Sequence, residues 1–328
     1  MNLKPFKSGE KICFIGDSIT AATTWISHIA DCYHQNTNEQ IEIYPCGISG
    51  GSCFSGKEYF DDQIAPWHPN TVVIKLGMND VGGTFYGING QGGDLERQKQ
   101  VLDDYKSNLE KLLEKVKANN VNRIILMAPT PYDEFKECDA QNHIGWMNGL
   151  RNCAKIMADF ARQYNCEFFD LGGQMLELLK DSYALGNQNE LIKADRVHPT
   201  ELGYAVMARL VLTAQGFEGY KITAQDIADG KAGLTLSDKA QTFHNVAWEI
   251  QKRWSTDWLV GHCTGHKPKE ERYEFITKTY LASPEKFDNY EEHGPYFVSL
   301  AEDYEALVLA EEGNMKKLSD AVKDLFRR

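Results

Sequence analysis

The chain has 328 residues, 42% of them hydrophobic and 25% charged, and a formal net charge of −12 at pH 7. This is the composition of a globular protein with one large core and room for an appendage. The acidic balance, with no long Lys/Arg run, argues against nucleic acid and anionic membrane surfaces as partners, and no stretch is long and apolar enough to span a bilayer.

The first residues, Met1 to Lys11, are polar and lack a signal-like apolar core, so a cytoplasmic location is expected. Eight cysteines, at 13, 32, 46, 53, 138, 153, 166 and 263, show no paired spacing and read as reduced thiols packed as small hydrophobes. The apolar run Ile12 to Ile15 stops at Gly16 and is followed by Asp17, Ser18 and Thr20 before a helical pattern over 21–35. A buried parallel strand delivers a residue to the carboxyl edge of a sheet in this way, and the residue delivered is Ser18. The plainer reading is that Ser18 and Thr20 cap the next helix.

A short strand, Ile41 to Tyr44, leads into the glycine-rich turn from Pro45 to Ser52, and residues 57–66 read as a short helix. Thr71 to Leu76 is the clearest buried strand and ends at Gly77-Met78-Asn79-Asp80. The glycine-dense loop from Val81 to Asp94 is too long for a plain connection and reads as a binding loop; no Lys-Ser/Thr pair follows its glycines, which disfavours a phosphate cradle. A helix over 95–118, a strand from Asn122 to Met127, a helix over 144–164 and a fifth strand from Cys166 to Asp170 follow. Asp195-Arg196-Val197-His198-Pro199 then precedes a last helix ending near Thr213. Apolar strands alternating with helices predict a parallel sheet covered on both faces, with every strand's carboxyl end on one edge. Ser18, the Gly50 turn and Asn79 share that edge, and the longer connection carrying Asp195 and His198 can return to it.

Gly16-Asp17-Ser18-Ile19, Gly50, Gly77-Met78-Asn79-Asp80 and Asp195-Arg196-Val197-His198-Pro199 resemble, in order, the four signature blocks of the SGNH hydrolases, also called GDSL esterases/lipases. The resemblance covers roughly residues 10 to 215, and Gly203-Tyr204 is similar to the family's last helix. It implies a three-layer α/β fold with a flavodoxin-like, five-stranded parallel sheet. It also implies a catalytic triad of Ser18, His198 and Asp195 and an oxyanion hole from the backbone N–H groups of Ser18 and Gly50 and the side-chain amide of Asn79. Many members carry asparagine five residues before the second block's glycine, where this chain has Pro45.

The chemistry of these residues agrees. Serine is a weak nucleophile until a base takes its proton, and an imidazole, with an ordinary pKa of about 6.5, serves near neutral pH. Asp195 lies three residues before His198, close enough for one tight loop to bring its carboxylate to Nδ1 while Nε2 faces Ser18. Asp17 and Asp80 read as structural, bonding loop amides. No Gly-x-Ser-x-Gly elbow is present, which disfavours an ordinary α/β-hydrolase. No cofactor or metal is called for: His262-Cys263-Thr264-Gly265-His266 has ligand types at short spacing but reads as a loop.

Residues 1–215 are expected to form the hydrolase domain and 216–328 a helical C-terminal extension. Ala247, Ile250, Trp254 and Trp258 make one apolar stripe, and aromatic residues continue from Phe275 to Tyr304. Such a stripe must bury against the hydrolase core or a second subunit, as a lid, a packing element or a dimer contact. The expected activity is hydrolysis of small acyl esters, acetyl foremost, on a carbohydrate or other metabolite. The alternatives are a lipase or thioesterase acting on longer chains and a binding protein without turnover. The polar Val81–Asp94 loop favours the small acyl group, and the intact Ser18, Asn79, Asp195 and His198 set favours an enzyme.

Overall fold

The strand signals resolve into one parallel sheet in the order β2-β1-β3-β4-β5. Its strands are β1 (Lys11–Gly16), β2 (Glu42–Gly47), β3 (Thr71–Lys75), β4 (Arg123–Met127) and β5 (Glu167–Phe169). The computed structural model describes residues 3–186, 189–263, 271 and 314–327. β1 lies inside the β2 edge, with Phe14 opposite Pro45 of β2 on one side and Val73 of β3 on the other. Every residue of β3 is buried, as the apolar run of Val72, Val73 and Ile74 at its centre requires of a strand covered on both faces.

Chain order reverses direction between β1 and β3, and right-handed crossovers then send helices to opposite faces. α1 (Ser18–Ala21) and α2 (Thr24–Asn36) follow β1; α3 (Cys53–Glu58) follows β2; α4 (Leu95–Ala118) and α5 (Trp146–Tyr164) are the crossovers to β4 and β5. α6 (Leu171–Ala184) and α7 (Glu201–Ala214) complete the set, with α7 packed on α2. α4 begins at its cap, Asp94, which accepts the Arg97 N–H, and buries Leu109, Leu112, Leu113 and Val116 along one face. Each such side chain contributes about 1.5–3 kcal/mol, well above the few tenths at stake in helix propensity.

Several boundaries differ from the sequence reading. The helix expected over 21–35 is broken at Thr23, whose backbone is left-handed at φ 59°. The helix expected over 57–66 starts earlier, at Cys53, and continues as a π-turn, Phe60–Ile64, and a 3-10 turn, Ala65–Trp67. Pro45 lies inside β2 rather than beyond it, which an edge strand tolerates because an outward-facing N–H has no ladder to join. α6 carried no clear signal because it opens Leu171-Gly172-Gly173. Gly172 is required there, since a Cβ would lie 2.0 Å from the Pro129 carbonyl oxygen.

The described residues of the C-terminal region form α8 (Ala224–Ala228), α9 (Asp238–Cys263) and α10 (Asn314–Phe326). α9 and α10 pack on each other and on β2, covering the edge of the sheet that would otherwise present unpaired peptide groups. Ala247, Ile250 and Trp254 are buried, and the Trp258 ring meets Tyr59 edge-on at 5.9 Å. This stripe is therefore buried within the chain itself. The aromatic run Phe275 to Tyr304 and the side chains of the His262–His266 cluster lie outside the described residues. The cysteines at 13, 32, 46, 53, 138, 153 and 166 are free thiols.

Candidate active site

Ser18 stands where β1 ends, at the switch point between β1 and β3 where open α/β sheets form their crevice. The turn that presents it is fixed from below. Asp17 caps α1 by accepting the Ile19 N–H at 3.0 Å, and the same oxygen takes Lys75 Nζ at 3.3 Å. Both side chains are 1% exposed, so this ion pair joins the ends of β1 and β3 in a medium of low polarity. Such a pair adds little net stability while intact, but removing one partner costs about 3–5 kcal/mol.

The Asp195–His198 loop reaches Ser18 from the far side. Ser18 Oγ lies 2.9 Å from His198 Nε2, and His198 Nδ1 lies 2.7 Å from Asp195 Oδ2. The other Asp195 oxygen accepts the backbone N–H groups of Val197, at 3.0 Å, and His198, at 2.9 Å. One carboxylate thus closes its own loop and aims the imidazole. Partial burial pushes the Asp195 carboxyl up, but the His198 and Val197 N–H groups and the imidazole outweigh it and hold it below its ordinary value. Arg196 bridges the two residues with left-handed backbone, φ 64°, and its buried guanidinium donates to the carbonyls of Asp133, Lys136, Cys138 and Ala140 at 2.6–3.4 Å.

Gly50 and Asn79 stand at the same edge. The Gly50 backbone is left-handed, φ 73°, with open space where a Cβ would be. The following residue, Gly51, packs against the carbonyl of Gly16 and the Cα of Asp17; a Cβ there would lie 3.0 Å and 3.4 Å from them. Asn79 Nδ2 donates to the Gly51 carbonyl at 2.9 Å, leaving its second N–H for another acceptor. Asp80 accepts the Cys53 N–H at 2.9 Å, so Asp17 and Asp80 both bond backbone amides. Burial, reinforced by Asp17, pushes the Asp80 carboxyl up to about 7 against the Cys53 bond.

The sequence profile of the GDSL-like Lipase/Acylhydrolase family matches residues 14–206. The chain belongs to this family. An acetylxylan esterase from Geobacillus stearothermophilus is 28% identical over 230 residues, 64% of this chain and 96% of its own length. A solved structure of that organism's acetyl-xylooligosaccharide esterase superposes with a TM-score of 0.52 at 26% identity, covering 66% of this chain and 98% of its own. Structures of the acetylxylan esterase include catalytic mutants at a serine, an aspartate and a histidine. A gut microbial diltiazem-metabolizing enzyme, 17% identical, shares the fold over 99% of this chain and 97% of its own with a TM-score of 0.73, so the C-terminal helices belong to an established architecture.

As a member of this family the chain is an acyl esterase, and its remaining loops surround the edge just described. In the Val81–Asp94 loop, Ile88 and Gln91 form an isolated bridge, and the loop is tied to the 142–146 segment. Asn89 N–H donates to the Asn142 carbonyl at 2.7 Å, and His143 Nδ1 meets the Gly87 carbonyl at 2.6 Å. His143 thus has a partner that sequence did not reveal, as does His244, whose Nδ1 lies 2.9 Å from Thr23 Oγ1. A groove of about 550 Å³ between α5 and α6 is lined by Leu150, Arg151, Lys155 and Phe168, and none of Ser18, Asn79 or His198 borders it. Sequence reasoning also missed Lys75, Arg196, Gln251 and Ser255. The available signal was a polar residue inside an apolar strand or beside an apolar stripe.

Proposed function

We propose that this esterase removes small acyl groups, acetyl foremost, from a hydroxyl of a carbohydrate or similar polyhydroxylated metabolite, with Ser18 as nucleophile. The observation that carries the reading is the continuous relay from Ser18 Oγ to His198 Nε2 at 2.9 Å and from His198 Nδ1 to Asp195 Oδ2 at 2.7 Å. Ser18 Oγ attacks the acyl carbon as His198 Nε2 takes its proton. Asp195 holds the Nδ1 proton and steadies the imidazolium. The oxyanion faces the N–H groups of Ser18 and Gly50 and the free N–H of Asn79. Collapse expels the alcohol with the proton from His198, and water repeats the cycle to release the carboxylic acid. The position of Ser18 as first residue of α1 supports its role as a donor, because its N–H has no acceptor within that helix. The acetylxylan esterase, with its catalytic serine, aspartate and histidine mutants, supports both the roles and the substrate class.

Ser18→Ala tests the reading. Folded variant is expected to lose at least about 10³-fold in turnover of p-nitrophenyl acetate, and near-normal activity would overturn the assignment. Turnover should fall from acetate through butyrate to octanoate, with acetylated xylo-oligosaccharides as better substrates than acetylated aliphatic alcohols. Preference for octanoate would favour the lipase reading.

A further inference from the structure

The C-terminal helix α9 carries a row of polar side chains on its buried side, and each bonds a different part of the sheet domain. At its start Ser237 donates to Asp31 through both backbone N–H, at 2.8 Å, and Oγ, at 2.6 Å. Seven residues on, His244 meets Thr23 at 2.9 Å. Seven further, Gln251 is fully buried: its Nε2 donates to the Pro45 carbonyl at 2.9 Å and its Oε1 accepts the Gly47 N–H at 2.5 Å. Four further, Ser255 Oγ accepts the Ser49 N–H at 2.9 Å.

The spacing explains the match. Pro45, Gly47 and Ser49 are alternate residues, so their peptide groups face the same outer side of the edge strand and the turn that continues it. Two residues of strand span about 6.6 Å, and four residues of helix span about 6 Å. Gln251 and Ser255 therefore meet successive outward peptides of β2 and its turn. The primary amide of Gln251, one acceptor and one donor, stands in for the peptide of an additional strand.

The geometry points to a positioning role: Gln251 and Ser255 hold the turn that presents the Gly50 N–H, so the C-terminal helix sets the oxyanion hole of this esterase from outside the region matched to the family, residues 14–206. The inference rests on Gly50 as an oxyanion donor. Ser49 is the residue before Gly50, and the N–H of Gly50 belongs to the Ser49–Gly50 peptide. On the inner side the turn is held by Ile48 N–H on the Gly16 carbonyl, 3.0 Å, and by Gly51 N–H on the Ile48 carbonyl, 2.8 Å. Without the outer bonds the Gly50 amide is fixed from one side only. Misplacing a catalytic group by about 1 Å can cost about 10²-fold.

The experiment uses the full chain and p-nitrophenyl acetate. Gln251→Leu is expected to lower kcat about tenfold to a hundredfold with KM within about twofold. Ser255→Val should lower kcat severalfold, and Ser255→Thr, isosteric with valine but keeping the hydroxyl, should restore it. Ser237→Ala, which loosens α9 far from the turn, should lower the melting temperature and leave kcat within about twofold. Equal kcat values for the Thr and Val variants, or a kcat loss in Ser237→Ala matching that of Gln251→Leu, would reduce the role to stability and overturn the inference. Asn79→Ala reads the oxyanion hole from its opposite side, removing the amide and its bond to the Gly51 carbonyl while leaving the α9 contacts in place. Loss of kcat there with none in Gln251→Leu overturns the brace alone; no loss in either overturns the oxyanion reading and the brace with it.

Discussion

Two loops meet Ser18, and they are held in opposite ways. The Asp195–His198 loop is closed by its own carboxylate, through partners two and three residues away. The turn after β2 owes its outer bonds to side chains 204 and 206 residues further along the chain. The first loop is shaped chiefly from within, with Arg196 as its tie to residues 133–140. The second is exposed to any change in the packing of α9. A loop closed by its own carboxylate depends less on its surroundings, whereas an externally braced one couples the site to a distant part of the fold.

The largest effect is expected inside the first loop. In Asp195→Asn the amide oxygen can still accept the Val197 and His198 N–H groups, so the loop should keep its shape. The amide nitrogen then faces His198 Nδ1 as a donor, which favours the tautomer that carries its proton on Nε2. Ser18 would lose its base, and kcat is expected to fall about 10⁴-fold with little change in melting temperature. Loss of the folded state would show that the carboxylate's charge, rather than its geometry, closes the loop.

A smaller effect is expected from Arg196→Lys, which tests whether the loop is self-closed. An ammonium cannot reproduce the guanidinium fork that gathers the carbonyls of residues 133–140. Hydrogen bonds from a charged donor contribute about 1.5–3 kcal/mol each before replacement by the new side chain. The variant should be destabilised by about 2 kcal/mol on this scale, read by urea denaturation. Its kcat should stay within about tenfold, since Asp195 still closes the turn. A kcat loss as large as that of Asp195→Asn would mean that Arg196, not Asp195, holds the imidazole in place.

The same contrast governs what the sequence made legible. Strand positions, the α4 stripe and the convergence of Ser18, Asp195, His198, Gly50 and Asn79 on one edge depend on local periodicity and chain direction, which one sequence displays. Asp195 and His198 could be paired because their contact spans three residues. Lys75 looked like the polar end of an apolar strand until Asp17 appeared beside it. Gln251 and Ser255 flank Ile250 and Trp254, and periodicity alone places them next to a buried stripe without saying which backbone they meet. Pro45 read as the end of a strand because the outward direction of its missing N–H depends on which edge of the sheet β2 occupies. α6 was hidden by two glycines: the reason for Gly172, the close approach to Pro129, is tertiary, whereas Gly173 packs against the capping Asp170 carboxylate.

The smallest effect concerns the inner support of the braced turn. Asp80 accepts the N–H of Cys53, the first residue of α3 and two residues beyond Gly51. Its Oδ2 is buried and has no partner among the described residues. Burial is the main cause that raises this carboxyl from 3.8 to about 7, and Asp17 adds to it. Between about pH 4 and 7 the folded protein therefore keeps a proton that the unfolded chain has released. Stability from this group is present at low pH and falls as pH rises through that window. Asp80→Asn keeps an oxygen for the Cys53 N–H and has no proton to lose. Its melting temperature relative to the unsubstituted protein should rise between about pH 4 and 7 and level off above, by a few degrees in total. kcat should change little at pH 6, where Asp80 is mostly protonated, and the variant should equal or exceed the parent at pH 8. A melting-temperature difference that stays flat across the window would show that the Asp80 carboxyl titrates at its ordinary value, and that the inner side of the turn carries a permanent charge.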